Sequence, residues 1–269
     1  MSKQDLRGAA LITGASSGIG ATYADRLARA GHDLVLVARD AARLEALAAK
    51  LKAATGVKID IVAADLTDRT DLAKVEARLA DDASIDILIN NAGAALAGSF
   101  AEQDVERVEN MIQLNVVSVT RLAHAAAKAF AARDRGAIVN ISSVVGLAPE
   151  LQSVVYGATK AYVTYFTQAL RQQLSPGVQL QAVLPGATRT EIWDRSGGGG
   201  ADKLDPNMLM EVDDLVDAAL AGFRQGELVT IPSLPDPVDF AAYDAARAKL
   251  LPNLSRNRPA ERYRAGAPA

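Results

Sequence analysis

The sequence predicts an α/β fold: a doubly wound parallel sheet of about seven strands, covered by helices on both faces as a three-layer α/β/α sandwich. Three observations predict it. Short apolar runs alternate along the chain with longer helix-patterned stretches. Most of these runs are β-branched and apolar at every position, as strands buried on both faces are. The first run also passes straight into a glycine-rich turn and a helix, "TGASSGIG" at residues 13–20.

The strands are read at 9–13 (AALIT), 34–38 (LVLVA), 59–63 (IDIVA), 85–90 (IDILIN), 137–142 (AIVNIS), 179–184 (QLQAVL) and 228–231 (LVTI). Between the first two, "ATYADRLARAG" is helical and ends at Gly31. "DAARLEALAAKLKAATG" closes at Gly56, a suitable C-cap, and "TDRTDLAKVEARL" starts from Thr67 or Asp68, both good N-caps. Long helices follow over 103–132 and 154–174. This βαβ alternation implies right-handed crossovers. One domain is read over residues 1–250 and a tail over 251–269, rich in Pro and Arg and without a clear period. The run "SGGGGADK" at 196–203 interrupts the pattern after the sixth strand.

The 269 residues carry 29 Lys plus Arg against 32 Asp plus Glu, a net charge of −3, so there is no basic excess to suggest nucleic acid. There are no cysteines, which excludes disulfides and thiolate chemistry. The two histidines, His32 and His124, are isolated and predict no metal site. No apolar run approaches the ~20 residues of a membrane span. The N-terminus is too short and polar for a signal peptide. A cytoplasmic protein with no membrane partner is expected.

Glycines at 14, 18 and 20 let backbone approach a phosphate, with the free N–H groups of a helix start behind them. In a doubly wound sheet that turn is the expected dinucleotide site. Further along, "YGATK" sets Tyr156 one helical turn before Lys160 with only small residues between. The sequence here resembles the short-chain dehydrogenase/reductase family. The resemblance rests on an ordered set: TGxxxGxG (13–20), Asp65 of "ADL", "NNAG" (90–93), Asn115 of "LNV", "ISS" (141–143), YxxxK (156–160), and "PG" with a Thr four positions after its glycine (185–190). The set spans nearly all of residues 8–231 and leaves the remaining C-terminal part outside.

The resemblance implies the single-domain, Rossmann-like branch of the family and an oxidoreductase moving a hydride between a nicotinamide and a carbonyl or secondary alcohol. Tyr156 would be general acid/base. A free phenol near pKa 10 is too weak an acid for that task, and Lys160 would lower it while binding the nicotinamide ribose. Ser143 would polarise the substrate carbonyl; Ser142 is the alternative, since strand alternation sends the two to opposite faces. Asn115 would disturb its helix and hold a water linked to Lys160. The dinucleotide would lie on Thr13, Gly14, Ser16, Ser17, Gly18, Ile19 and Gly20. Asp65 and Leu66 would line its adenine, and Asn91, Ala92 and Gly93 its ribose. Pro185, Gly186, Thr188 and Thr190 would border the nicotinamide end.

Ala38 stands where NAD-preferring relatives carry an acid. Arg39, with Arg43 one turn later, suits a 2′-phosphate, although Asp40 competes for Arg39. NADP(H) is therefore expected, with NAD(H) second. Trp193, Met208, Leu209 and Met210 are read as an apolar lid, and Leu147 and Glu150 as facing the same cleft, which suits a hydrophobic ketone or alcohol. A homodimer or homotetramer is expected, with Val163, Phe166 and Leu170 as an apolar stripe in its interface. Two other readings stand beside this one: a sugar-nucleotide epimerase or dehydratase, and a non-catalytic dinucleotide sensor. The glycine spacing disfavours the first, and the intact set Asn115, Ser143, Tyr156 and Lys160 the second.

Overall fold

The computed structural model describes residues 6–264. Seven parallel strands form one sheet in the order β3-β2-β1-β4-β5-β6-β7. They are β1 (Ala9–Thr13), β2 (Leu34–Ala38), β3 (Ile59–Ala63), β4 (Ile85–Asn90), β5 (Gly136–Ile141), β6 (Val178–Val183) and β7 (Val229–Thr230). The helices are α1 (Gly18–Arg29), α2 (Ala41–Thr55), α3 (Arg69–Asp81), α4 (Val105–Ile112), α5 (Val119–Ala131), α6 (Val154–Arg171), the short α7 (Ile192–Arg195), α8 (Val212–Gln225) and α9 (Pro237–Ala248).

Alternation along β1 shows how the layers form. Ala10 and Ile12 enter one core with Tyr23, Leu27, Leu44, Leu51 and Val216. Ala9 and Leu11 enter the other with Leu72, Val75, Leu122 and Phe130. Side chains of one strand point to opposite faces, so a strand with helices on both sides is apolar throughout. The caps are local chemistry. The Asp40 carboxylate accepts from Arg43 N–H at 3.0 Å, and Asp68 accepts from Thr70 and Asp71 N–H, both at 2.9 Å. Asp68 is thus the N-cap of α3, and Gly56 takes the left-handed C-cap of α2.

The chain winds from β1 outward to β3, then crosses back to β4 and winds the other way. Between the C-terminal ends of β1 and β4 the loops therefore part, and a groove opens. Two staples set its floor. The buried Thr13 hydroxyl accepts from Asn91 and Ala92 N–H at 2.9 and 3.0 Å, and Asn91 Nδ2 donates to Thr13 O at 2.9 Å.

The chain divides into two compact units, the first ending at Pro232 and the second beginning at Ser233; α9, in the second, buries no residue. Two expectations change. The long helix over 103–132 is interrupted: α4 and α5 are joined by a π-helical stretch, Gln113–Ser118. The stripe Val163, Phe166 and Leu170 faces inward. Val163 is fully buried, and the other two pack on the second core. The exposed apolar residues of α6 are instead Val154, Tyr162 and Tyr165.

Candidate active site

The glycine turn is built for close approach. Gly14 has φ +64°, and a Cβ there would lie 2.8 Å from Asn91 Nδ2; a Cβ on Gly20 would lie 2.4 Å from Gly14 O. Neither position admits a side chain, so the turn stays a bare backbone cradle. Ser17 is the N-cap of α1, with Ser16 before it, and α1 presents its free N–H groups to the groove. Ile19 is partly buried and packs on the first core. A pyrophosphate fits this cradle by shape and by dipole.

The second cluster sits at the ends of β5 and α6. Ser143 Oγ donates to Pro185 O at 3.2 Å and stands near enough to the Tyr156 phenol to favour its ionised form. Ser142, one residue earlier, points the other way: its hydroxyl donates to Lys160 O at 2.7 Å and meets Thr164 Oγ1 at 2.8 Å. Alternation on the strand thus leaves Ser143, and not Ser142, beside the phenol. Lys160 is buried; its Nζ donates to Ile141 O at 2.9 Å and lies 5.6 Å from the centre of the Tyr156 ring.

The electrostatics differ from expectation. Burial pushes the Tyr156 phenol up to about 12, with the Ser143 hydroxyl opposing the shift. Burial brings Lys160 down to about 8. The sequence reading places Lys160 to lower the phenol; its Nζ donates to Ile141 O and lies 5.6 Å from the ring centre, and burial is the larger influence on both groups.

Asn115 explains the π-helical stretch. Its Nδ2 donates to Ala94 O at 2.8 Å and to Thr159 Oγ1 at 3.1 Å, and its Oδ1 accepts from Ala94 N–H at 2.9 Å. One extra residue per turn rotates this amide inward, where it clamps the loop after β4 to α6. A Cβ on Gly93 would lie 3.3 Å from Asn115 Oδ1 and 3.5 Å from Lys160 Nζ, so both face that glycine.

At the other end of the groove, Arg39 is 73% exposed and pairs loosely with Asp65 at 3.8 Å. Asp40 does not hold Arg39; it caps α2 and approaches Arg43 Nε at 3.4 Å. Arg43 is held by Glu191, a residue the sequence reading passed over. Asp65 accepts from Thr67 N–H and hydroxyl at 2.9 and 2.7 Å, and Leu66 is buried in the second core. Pro185 carries the carbonyl that accepts from Ser143. Thr188 is buried, with its hydroxyl donating to Gly186 O at 3.1 Å. Thr190 stands over the glycine turn, its methyl 3.3 Å from where a Gly18 Cβ would lie.

Beside Tyr156 opens a cleft of about 200 Å³, lined by Leu96, Phe100, Gln103, Leu151, Val154 and Val155 among others. Leu147 and Glu150 do not line it. Nor does the expected lid: Met210 packs on the first core, Trp193 Nε1 donates to Thr188 O at 2.8 Å, and Met208 is exposed. Leu96, Phe100 and Leu151 lie in loops and single 3₁₀ turns, where no periodic signal marks them. Among the described residues, no group of three or more His, Cys, Asp or Glu could hold a metal ion, and no helix is long and apolar enough to cross a membrane.

Comparison with known proteins accords with this geometry. The family model for short chain dehydrogenases matches residues 8–198. A short-chain dehydrogenase from Sphingobium yanoikuyae, solved in complex with NADPH, is 55% identical with a TM-score of 0.93, covering 96% of this chain and 100% of that one. The bulky-bulky ketone specific alcohol dehydrogenase from Comamonas testosteroni is 49% identical with a TM-score of 0.88, covering 95% of this chain and 98% of that one. The serine 3-dehydrogenase of Agrobacterium fabrum is 36% identical over 253 residues, 90% of this chain and 99% of that protein.

Proposed function

The chain belongs to the short-chain dehydrogenase/reductase family, and from that premise we propose an NADPH-dependent reductase of bulky ketones with Tyr156 as its proton donor. As a member of the family it is an oxidoreductase acting between a carbonyl and a secondary alcohol. The observation that carries the finer reading is Ser143 beside the Tyr156 phenol, with the buried Lys160 one helical turn along, at the mouth of the cleft.

The nicotinamide, when bound, supplies the hydride that reaches the carbonyl carbon. The chain's own residues manage the oxygen. Ser143 and Tyr156 donate hydrogen bonds to it, and Tyr156 gives its proton as the alkoxide develops. A phenol near 12 holds the proton that the reducing direction needs, but burial makes it a weaker acid than a free phenol, so the developing alkoxide and the Lys160 charge must draw the proton off. Lys160, near 8, is then mostly charged, and its ammonium stabilises the phenolate left behind. Asn115 holds the loop after β4 against α6 and so fixes the position of Lys160 relative to Gly93.

NADPH over NADH is favoured by Arg39, exposed at the adenosine end with Ala38 leaving room beside it. The Sphingobium relative was solved with NADPH. The cleft brings Leu96, Phe100, Leu151, Val154 and Val155 together with Gln103, Gln152 and Ser153, which suits a bulky ketone whose carbonyl meets a polar lining. The Comamonas relative is specific for bulky-bulky ketones. Exposed Val105 and Ile112 on α4, with Tyr162 and Tyr165 on α6, form an apolar surface suited to a homodimer or a tetramer of such pairs. We place the enzyme in the cytoplasm, in keeping with a chain that has no cysteine.

The test is a panel of ketones graded in size, run with NADPH and with NADH and followed at the nicotinamide absorbance band. Diaryl or aryl-alkyl ketones with NADPH should give the highest kcat/KM. Turnover confined to small polar carbonyls, or a preference for NADH, would remove the substrate or cofactor assignment respectively.

A further inference from the structure

An ion pair spans the groove, and its partners lie 148 residues apart in the chain. Arg43, in the first turn of α2, gives Nη1 to both oxygens of Glu191, at 3.0 and 2.9 Å. Arg195 binds the same carboxylate from one turn of α7 further on. Arg43 Nε also lies 3.4 Å from Asp40, so two carboxylates already balance this one guanidinium. Thr190, the neighbour of Glu191, sets its methyl over Gly18 in the glycine turn. The segment after β6 is thus drawn down across the groove and fastened to the helix on its far side.

This arrangement does not suit Arg43 as a phosphate ligand. A 2′-phosphate would have to displace Glu191 from it, whereas Arg39 stands free of such a bidentate partner. We propose that Arg43 is a positioning residue that acts through Glu191: the pair straps the segment from Ala187 to Ser196 over the glycine turn and slows release of a bound dinucleotide, with or without a 2′-phosphate. The proposal rests on the dinucleotide reading of that turn. Both side chains are about half exposed, so the strap is weak, and exposed pairs of this kind correspond to roughly two- to fivefold.

The experiment compares wild type with Arg43→Leu, Glu191→Gln, the double variant, and the charge swap Arg43→Glu with Glu191→Arg. Stopped-flow displacement gives the dissociation rates of NADPH and NADH. Amide hydrogen exchange over residues 187–196 is recorded on the protein alone. Each single variant should speed release of both nucleotides by the same two- to fivefold and raise exchange in that segment. The double should be no faster than either single, because one interaction is lost once. The swap should recover only part of the wild-type rate, because it leaves a carboxylate beside Asp40 and a guanidinium beside Arg195. The proposal is overturned if Arg43→Leu weakens NADPH alone while Glu191→Gln changes nothing, since Arg43 would then be a phosphate ligand. Unchanged release of both nucleotides with unchanged exchange overturns it too. If wild type binds neither nucleotide, the dinucleotide reading itself falls and takes the strap's purpose with it, whatever the exchange data show.

Discussion

The two ends of the groove are made of different material. At the Tyr156 end, the hydroxyl, the ammonium and the serine are desolvated and hydrogen-bonded to one another or to backbone, and burial moves both titrating groups by about two units or more. At the Arg39 end, the charges are exposed, loosely paired and screened. Chemistry needs groups whose energies are far from those in water, and only burial supplies that. Discrimination between two dinucleotides needs only a modest difference, which exposed charge can supply. Changes at the buried end should therefore be large and act on rate, and changes at the exposed end small and act on affinity.

The largest effect is expected for Tyr156→Phe, which keeps the ring and removes the exchangeable proton; kcat should fall by roughly 10²–10⁴-fold. Steady-state kinetics at saturating cofactor measures it, and a near wild-type rate would end the assignment. Ser143→Ala removes one of two donors to the developing oxyanion and should cost about 10²–10³ in kcat. Ser142→Ala should leave the chemistry much less affected, since that hydroxyl is turned toward α6. If the two serine variants lose rate equally, the strand's alternation is not what selects the donor.

The lysine gives a stability prediction with a definite sign. Lys160 has a folded value near 8 against 10.5 for a free lysine. Between those values the unfolded chain binds the proton and the folded chain does not, so stability rises with pH across that window. The gain should be on the order of 3 kcal/mol, at 1.36 kcal/mol per unit. Urea unfolding of wild type and Lys160→Met from pH 7 to 10.5 checks it: the rise should appear in wild type and vanish in the variant. A flat wild-type profile would mean that the ammonium is not desolvated. The smallest effect is at the exposed end. Arg39→Leu should weaken NADPH about tenfold and leave NADH nearly unchanged, the low end for a charged hydrogen bond because the site is open to solvent.

Much of the frame was legible in the sequence, because strands buried on both faces are marked by composition alone. The first four strands fall at the residues read for them, the next two shift by one, and the last is shorter by one residue at each end. Asn115 was readable as a disturbance because an amide is a poor helix former mid-helix, and the π-helical stretch is that disturbance. What was not legible depends on direction. Val163, Phe166 and Leu170 have helical spacing, but spacing cannot say whether a stripe meets its own sheet or a second copy. The Lys160 side chain is one turn from Tyr156 in sequence, yet its Nζ turns to Ile141 O, which no spacing rule foretells. Glu191 was missed because its partner Arg43 lies on the other side of the groove, and nothing in a linear chain pairs them.

The contrast between the two ends is tested most directly by one crossed measurement. Tyr156→Phe and Arg39→Leu are each assayed for the single-turnover rate of ketone reduction at saturating NADPH, and for the ratio of NADPH to NADH dissociation constants. The Phe variant should lose roughly 10²–10⁴ in rate with its ratio unchanged, and the Leu variant should lose about tenfold in the ratio with its rate unchanged. If either variant alters both quantities together, the two ends are not separable, and the division of labour between buried chemistry and exposed discrimination is wrong.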